Sequence, residues 1–206
     1  MISNESKDSF IVAVTGASGA LYAERFLNAL VGHVPTIDVI FSQTAAKVVR
    51  YELADEPRPE ISLIELLGRD RNKFENIRVH NAQDFFAPMA SGSSSGKRMV
   101  VVPCSMGTMG RIANGVSSNL IERTADVVLK ERGRLVICPR ETPFNLIHLN
   151  NMQTLIQSGA HIVPAMPGFY QKPKSLNDII DFMAGKLLEA FDLPHSLYPA
   201  WQSDKS

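Results

Sequence analysis

Cysteine is nearly absent from this chain of 206 residues: Cys104 and Cys138 are the only two, too few for a disulfide framework or a four-cysteine metal site, and in keeping with a reducing compartment. Net charge is absent too. Lysine and arginine number 21 against 21 aspartates and glutamates, so the chain lacks the cationic surplus that nucleic acid or an anionic membrane demands, and a small ligand is the expected partner. Long apolar runs are missing: stretches such as 99–103 and 135–138 fall far short of the ~20 residues of a membrane-crossing helix. The opening MISNESKDSF has no basic, apolar, small-residue order of a secretory leader, and a cytoplasmic location is expected. His33, His80, His148, His161 and His195 show no spacing suited to a shared metal, and none is expected. Aromatic residues make up 7%, with one tryptophan, Trp201, beyond the last helical pattern.

What is present is a steady alternation. Short, β-branched, apolar runs at 10–14, 37–41, 77–80, 99–103, 135–138 and 162–164 read as buried strands. Helical patterns at 20–31, 44–53, 118–131, 145–158 and 175–191 fall between or after them, the last with Leu176, Ile179, Ile180, Met183, Leu187, Leu188 and Phe191 on one face. This order predicts an α/β protein with a doubly wound, mostly parallel sheet, a Rossmann-like or flavodoxin-like three-layer sandwich. One domain over 1–206 is expected, with a flexible start at 1–9, a mobile excursion within 54–95 and a tail at 192–206 that contributes to the site.

In such sheets ligands bind beyond the carboxyl ends of the strands. Those positions read TGASGA (15–20), Ser42, PCSMGT (103–108), PRE (139–141) and PAMPGFY (164–170). The turn of Gly16, Ala17, Ser18 and Gly19 either presents N–H groups at a helix start to a phosphate or flavin edge, or serves strand-to-helix geometry alone. It is not the dinucleotide G-x-G-x-x-G, and Ser42 stands where an NAD site places a carboxylate. GSSSGKR at 92–98 has three residues between its glycines where a nucleotide P-loop has four, and a strand follows it; a phosphate-closing loop and a solvated linker both remain open. Arg123 and Lys130 lie seven apart on one predicted helix and so share a face, and Arg140 and Glu141 follow a strand. Cations gathered there suit a phosphate, and a carboxylate among them could pass it a proton. Glu131, Arg132 and Arg134 read as a solvated face, Asp178 and Asp181 as an exposed pair, His148 as packed or capping, and both cysteines as small buried residues.

The segments VTGASGALYAERFL, ASGSSSG, VVPCSMGT, NLIERTADVVLKERGRLVICPRETPFNLIHLNNM and GAHIVPAMPGFYQKP, with Trp201, span nearly the whole chain, and in this order it resembles the UbiX flavin prenyltransferases. The resemblance implies transfer of a dimethylallyl group from dimethylallyl monophosphate to N5 and C6 of reduced FMN, without a metal. The product, prenylated FMN, is the cofactor of UbiD-type decarboxylases in ubiquinone synthesis or aromatic-acid metabolism. It implies that Gly16, Ala17, Ser18, Ser42, Ser105, Met106 and Thr108 hold the flavin, with Arg123 near flavin and prenyl phosphate alike. Ser91, Lys130, Arg140, Tyr170 and Lys186 map onto the prenyl-phosphate pocket, Glu141 onto the acid that assists phosphate departure, and Trp201 onto an aromatic wall. Ser18 and Glu52 match the pair that manages the N5 proton. Lys186 stands where many members carry arginine and lacks its bidentate fork. A homo-oligomer of trimers within a dodecamer is implied. The absence of an Asp-rich magnesium motif favours a monophosphate donor. The alternatives are an FMN-dependent cysteine decarboxylase of related fold, whose P-x-S-A-N-T turn here reads PCSMGTM, and a flavin carrier without chemistry.

Overall fold

The computed structural model describes residues 9–54, 75–93 and 96–199. Six strands, β1 (Ser9–Val14), β2 (Thr36–Phe41), β3 (Ile77–Asn81), β4 (Arg98–Cys104), β5 (Arg134–Pro139) and β6 (His161–Ile162), make one sheet in the order β3-β2-β1-β4-β5-β6. Every pairing is parallel. The order is that of the Rossmann sheet, not the flavodoxin order in which the third strand lies beside the first.

Side-chain alternation divides the core in two. Phe10, Val12 and Val14 of β1 face α1 (Ala20–Leu30), α2 (Gln43–Leu53) and α6 (Leu176–Glu189). Ile11 and Ala13 face α3 (Met106–Ala113), α4 (Leu120–Lys130) and α5 (Leu146–Gln157), together with a 3-10 turn at Pro88–Ala90. Strands covered on both faces read as near-continuous apolar runs, and β1 is buried at all six positions and apolar from Phe10 to Val14. Each large side chain sealed in this way, such as Phe26 or Leu27, contributes roughly 1.5–3 kcal/mol.

The helix missing from the sequence reading is α3. Its sequence, MGTMGRIA, holds Gly107 and Gly110, each costing about 1 kcal/mol of helix propensity. Tertiary burial of Met106, Met109 and Ile112 overrides that preference. The last strand is shorter than 162–164 suggests, with only His161 and Ile162 in the ladder. The expectations for the start at 1–8, for 55–74 and for 94–95 lie outside the described residues, as does Trp201.

At the centre, Thr15 ties the ends of β1 and β4 together. Its hydroxyl donates to the Pro103 carbonyl at 2.7 Å and accepts from the Ser105 N–H at 2.8 Å. Pro103 has no N–H to give the ladder, and the β4–β5 register shifts between Val101 and Cys104. The β4–β5 ladder resumes at Cys104 and Pro139, and the winding of the sheet reverses between β1 and β4.

Candidate functional site

The strand order turns back between β1 and β4, and the chain that leaves each strand there diverges to opposite faces. A cleft of about 400 Å³ opens beside this point, lined by Gly16, Ser42, Gln43, Thr44, Ala82, Gln83, Ser105, Thr108, Arg111 and Asn119. Its size lies within the usual range of small-molecule sites.

Three lining residues are helix N-caps. The Ala45 N–H donates to Ser42 Oγ at 3.0 Å, the Thr108 N–H to Ser105 Oγ at 3.4 Å, and the Glu122 N–H to Asn119 Oδ1 at 3.1 Å. Three helix starts therefore point their positive ends into one cleft, an arrangement suited to an anion. Ser42 Oγ, accepting from the backbone, still has its own proton to donate. Gly16 lets the β1 turn approach α2: a Cβ there would lie 2.5 Å from Thr44 Cγ2.

Arg111 is the charged residue of the lining, and it is braced from below. Glu122, 1% exposed, accepts from the Ser118 N–H at 2.8 Å, Ser118 Oγ at 2.6 Å and Asn119 Nδ2 at 2.9 Å, and receives Arg111 Nε in a close ion pair. Burial alone would raise the Glu122 carboxyl; the hydrogen bonds from Ser118 and Arg111 outweigh it and hold the group below the ordinary carboxylate range. The sequence reading passed over Thr44, Gln83, Arg111, Asn119 and Glu122. The N-x-x-E spacing of Asn119 and Glu122 carries a capping signal, but nothing local joins Arg111 to a residue eleven positions on.

The start of α1 differs from the other three. Gly19, at φ 120°, offers no side chain as a cap. Glu52 of α2 supplies one: its Oε2 accepts from the Gly19 N–H at 2.9 Å and the Ala20 N–H at 2.7 Å. Those two N–H groups are thus engaged by a carboxylate of the chain itself, which at Gly19 and Ala20 favours the second reading of this turn, strand-to-helix geometry; the helix starts that line the cleft are those of α2, α3 and α4. Glu52 is brought beside Ser18 all the same. Arg140 also reaches this turn, its Nε donating to the Ser18 carbonyl at 2.9 Å. Neighbouring Glu141 accepts from the Thr142 N–H at 3.0 Å. Ala17 is buried, Met106 opens α3, and neither is among the lining residues.

The other predicted residues form two further groups. Arg123 donates through Nε to the Ala90 carbonyl at 3.1 Å and pairs with Asp126 at 2.8 Å. Lys130 pairs with Glu131 at 2.6 Å, and a Cβ on Gly92 would lie 2.9 Å from Lys130 Nζ, so both cations of α4 face the 88–93 segment that carries Ser91. At α6, Lys186 Nζ stands 5.6 Å from the ring centres of Phe182 and Tyr198 and 2.7 Å from Glu189, while the Tyr170 ring meets Phe182 edge-on at 5.6 Å. The four cations named from the sequence have separate partners: Arg123 and Lys130 at the 88–93 segment, Arg140 at the Ser18 turn and Lys186 on α6. Lys130 precedes β5 and Arg140 follows it, and six residues of strand span about 20 Å.

Smaller expectations fare variously. His148 closes a capping box with Asn145 at the start of α5. Burial raises both thiols, Cys138 to about 12, leaving them inert. Asp178 caps α6 in the open, but Asp181 is not a solvated partner: it meets Arg25 of α1 at 2.7 Å, and burial raises its carboxyl. Arg134 keeps an exposed side chain, as expected, while binding Asp192 and the Ala190 carbonyl at the end of α6. Among the described residues no group of three or more His, Cys, Asp or Glu is placed to hold a metal ion.

The family model named Flavoprotein matches residues 2–192. The chain is 43% identical to flavin prenyltransferase UbiX of Halalkalibacterium halodurans over 97% of this chain and 96% of that one. Among solved structures it is similar to AnUbiX (PadA1) in complex with FMN and dimethylallyl pyrophosphate, at 39% identity and a TM-score of 0.84 over 96% of this chain and 98% of that one. It is similar also to a dodecameric FMN-dependent UbiX-like decarboxylase from Escherichia coli O157:H7, at 34% identity and a TM-score of 0.82 over 95% and 100%. Identity of this extent along nearly the full length, on a sheet whose switch-point cleft gathers three helix starts, leaves one conclusion: the chain belongs to the flavoprotein family and, within it, to the flavin prenyltransferases of the UbiX type.

Proposed function

We infer that this protein binds reduced FMN in the β1–β4 cleft and joins to it a dimethylallyl group taken from dimethylallyl monophosphate. The observation that carries the reading is the meeting of Gly16, Ser42, Ser105 and Thr108 at one cleft, in a chain whose curated relatives are flavin prenyltransferases. The residues fit the flavin: hydroxyls and helix starts for its polar tail, and a glycine where two backbones close in. Reduced FMN, here a substrate, supplies the nucleophilic N5 and C6.

In the reaction the allylic carbon–oxygen bond breaks as carbon bonds to N5, which gives up its proton, and phosphate leaves; the prenyl double bond then takes up a proton and its other carbon bonds to C6, which loses one. Negative charge develops on the leaving oxygens, where Arg123, Lys130, Arg140 and Lys186 are the stabilising cations and Ser91 a donor. Glu141 passes a proton to the departing phosphate, and Ser18 with Glu52 handles the proton at N5. We assign Tyr170 and Trp201 to the prenyl fragment, where an aromatic ring offers a cation–π attraction of roughly 0.5–2 kcal/mol. Ala17 and Met106 support the flavin through the backbone of their turns. The strand's length between Lys130 and Arg140 supports a site assembled from different copies, and we take the active form to be a homo-oligomer, trimers within a dodecamer. The exposed apolar side chains of α5 and the segment after β6, Leu146, Ile147, Met166 and Phe169, support such contacts. Among the described residues no helix is long and apolar enough to cross a membrane. With both cysteines free and buried, we place the protein in the cytoplasm, where its product passes to a UbiD-type decarboxylase.

The test is anaerobic incubation of the oligomer with reduced FMN and dimethylallyl monophosphate or, in parallel, the pyrophosphate, followed by flavin mass. A gain of one C5 unit from the monophosphate is expected. In the same assay Glu141→Gln should keep FMN bound while transfer falls roughly 10²- to 10⁴-fold, the usual worth of a proton donor. An unchanged flavin mass in the intact oligomer overturns the reading.

A further inference from the structure

The cleft holds a cation that the flavin reading of the sequence left out. Arg111 projects from the second turn of α3, past the N-cap Ser105, and lines the cleft with Ser42, Gln43 and Thr44 of the α2 start. Its guanidinium is oriented from behind. Glu122, sealed from solvent, takes the Nε–H, and Thr108 Oγ1 lies 3.4 Å from Nη2. The Nη1 end has no partner among the described residues. Gly107 leaves room for it, since a Cβ there would lie 3.4 Å from Arg111 Nη1.

We propose that Arg111, aimed by the buried Glu122, binds the terminal phosphate of FMN and gives the cleft its preference for FMN over riboflavin. This rests on the flavin reading above and assigns one end of that ligand. Arg111 is the charged group of the lining, so the dianion finds its counter-charge there, while the α2 and α3 starts add N–H donors on the same side. A guanidinium whose Nε is fixed by a carboxylate keeps its outer N–H pair preorganised, and the conformational cost of gripping phosphate is met by the fold. Glu122 is a positioning residue. Its four hydrogen bonds hold the carboxylate in place, so its charge orients Arg111 without reaching the cleft.

The experiment measures dissociation constants for FMN and riboflavin with the wild-type oligomer, with Arg111→Gln, and with the double variant Arg111→Gln, Glu122→Gln, which leaves no unpaired buried charge should the single variant fold poorly. Loss of a charge-assisted contact should weaken FMN roughly 10- to 100-fold and leave riboflavin unchanged. Equal weakening of both flavins, or of neither, in the folded double variant overturns the assignment, as does a wild-type protein that binds both equally. A wild-type protein that binds neither flavin overturns the flavin reading and this assignment with it. Tight FMN binding without prenyl transfer would refute the proposed reaction while the phosphate assignment stands on the same affinity ratio.

Discussion

Among the described residues two charged side chains are sealed from solvent, Glu122 and Asp38, and each carboxylate is held by hydrogen bonds. Asp38, 3% exposed on β2, receives Arg78 at 2.9 and 3.2 Å and His80 at 2.7 Å from the neighbouring edge strand β3. Burial alone would raise its carboxyl, but the hydrogen bonds from His80, Arg78 and Ser9 prevail and hold it below the usual range. A depressed carboxylate contributes stability above its unfolded value near 3.9, and that stability fades as pH falls through the folded value. Asp38→Asn should therefore cost about 1–3 kcal/mol at neutral pH and flatten the acid limb of the stability curve. Thermal melts of both proteins from pH 7 to 3 check it; parallel curves would show that Asp38 carries no such charge. Nothing in the local sequence marks Asp38 as buried and paired, because its partners lie 40 and 42 positions away.

At the scale of elements, helix and strand periods were legible and close approaches were not. The helices expected at 20–31, 145–158 and 175–191 differ from α1, α5 and α6 by at most two residues at either end, since apolar period and capping residues agree there. Gly96 is different in kind. The serine-rich run around it suggests a loose loop, yet a Cβ at Gly96 would lie 2.1 Å from the Ser9 carbonyl oxygen, so this glycine lets the entry to β4 pass against the start of β1. Gly96→Ala should separate those strand ends and destabilise the fold by about 1–3 kcal/mol, the ordinary range for overpacking against fixed backbone. A chemical denaturation midpoint unmoved by the substitution would count against that packing. α3 makes the same point in reverse: its two glycines weaken the local signal, and burial under the sheet forms the helix regardless.

For the whole molecule, the separated cation groups support the proposal that assembly is part of function. Leu146 and Ile147 are 71% and 68% exposed on α5, beside the PRE segment that carries Arg140 and Glu141. Paired substitution Leu146→Glu, Ile147→Glu should split the proposed oligomer, reduce prenyl transfer at least about tenfold because Lys130 can no longer approach Arg140, and leave each protomer folded. Native mass spectrometry with circular dichroism reads both parts. An unchanged assembly would move the contact elsewhere; a fully active monomer would refute assembly of the site between copies.

The sequence by itself determined the α/β class and the parallel sheet, and it pointed to the strand ends beside which the candidate cleft opens, because these follow from apolar period and turn residues along contiguous stretches. Tertiary structure alone decided which helix starts stay open. Glu52 closes that of α1 from 33 positions away, while those of α2 and α3 face the cleft with Arg111 between them. It also decided which cations share a protomer's cleft and which stand a strand's length apart, since a charge acts by distance in space and neutrality summed along a chain says nothing of that distance.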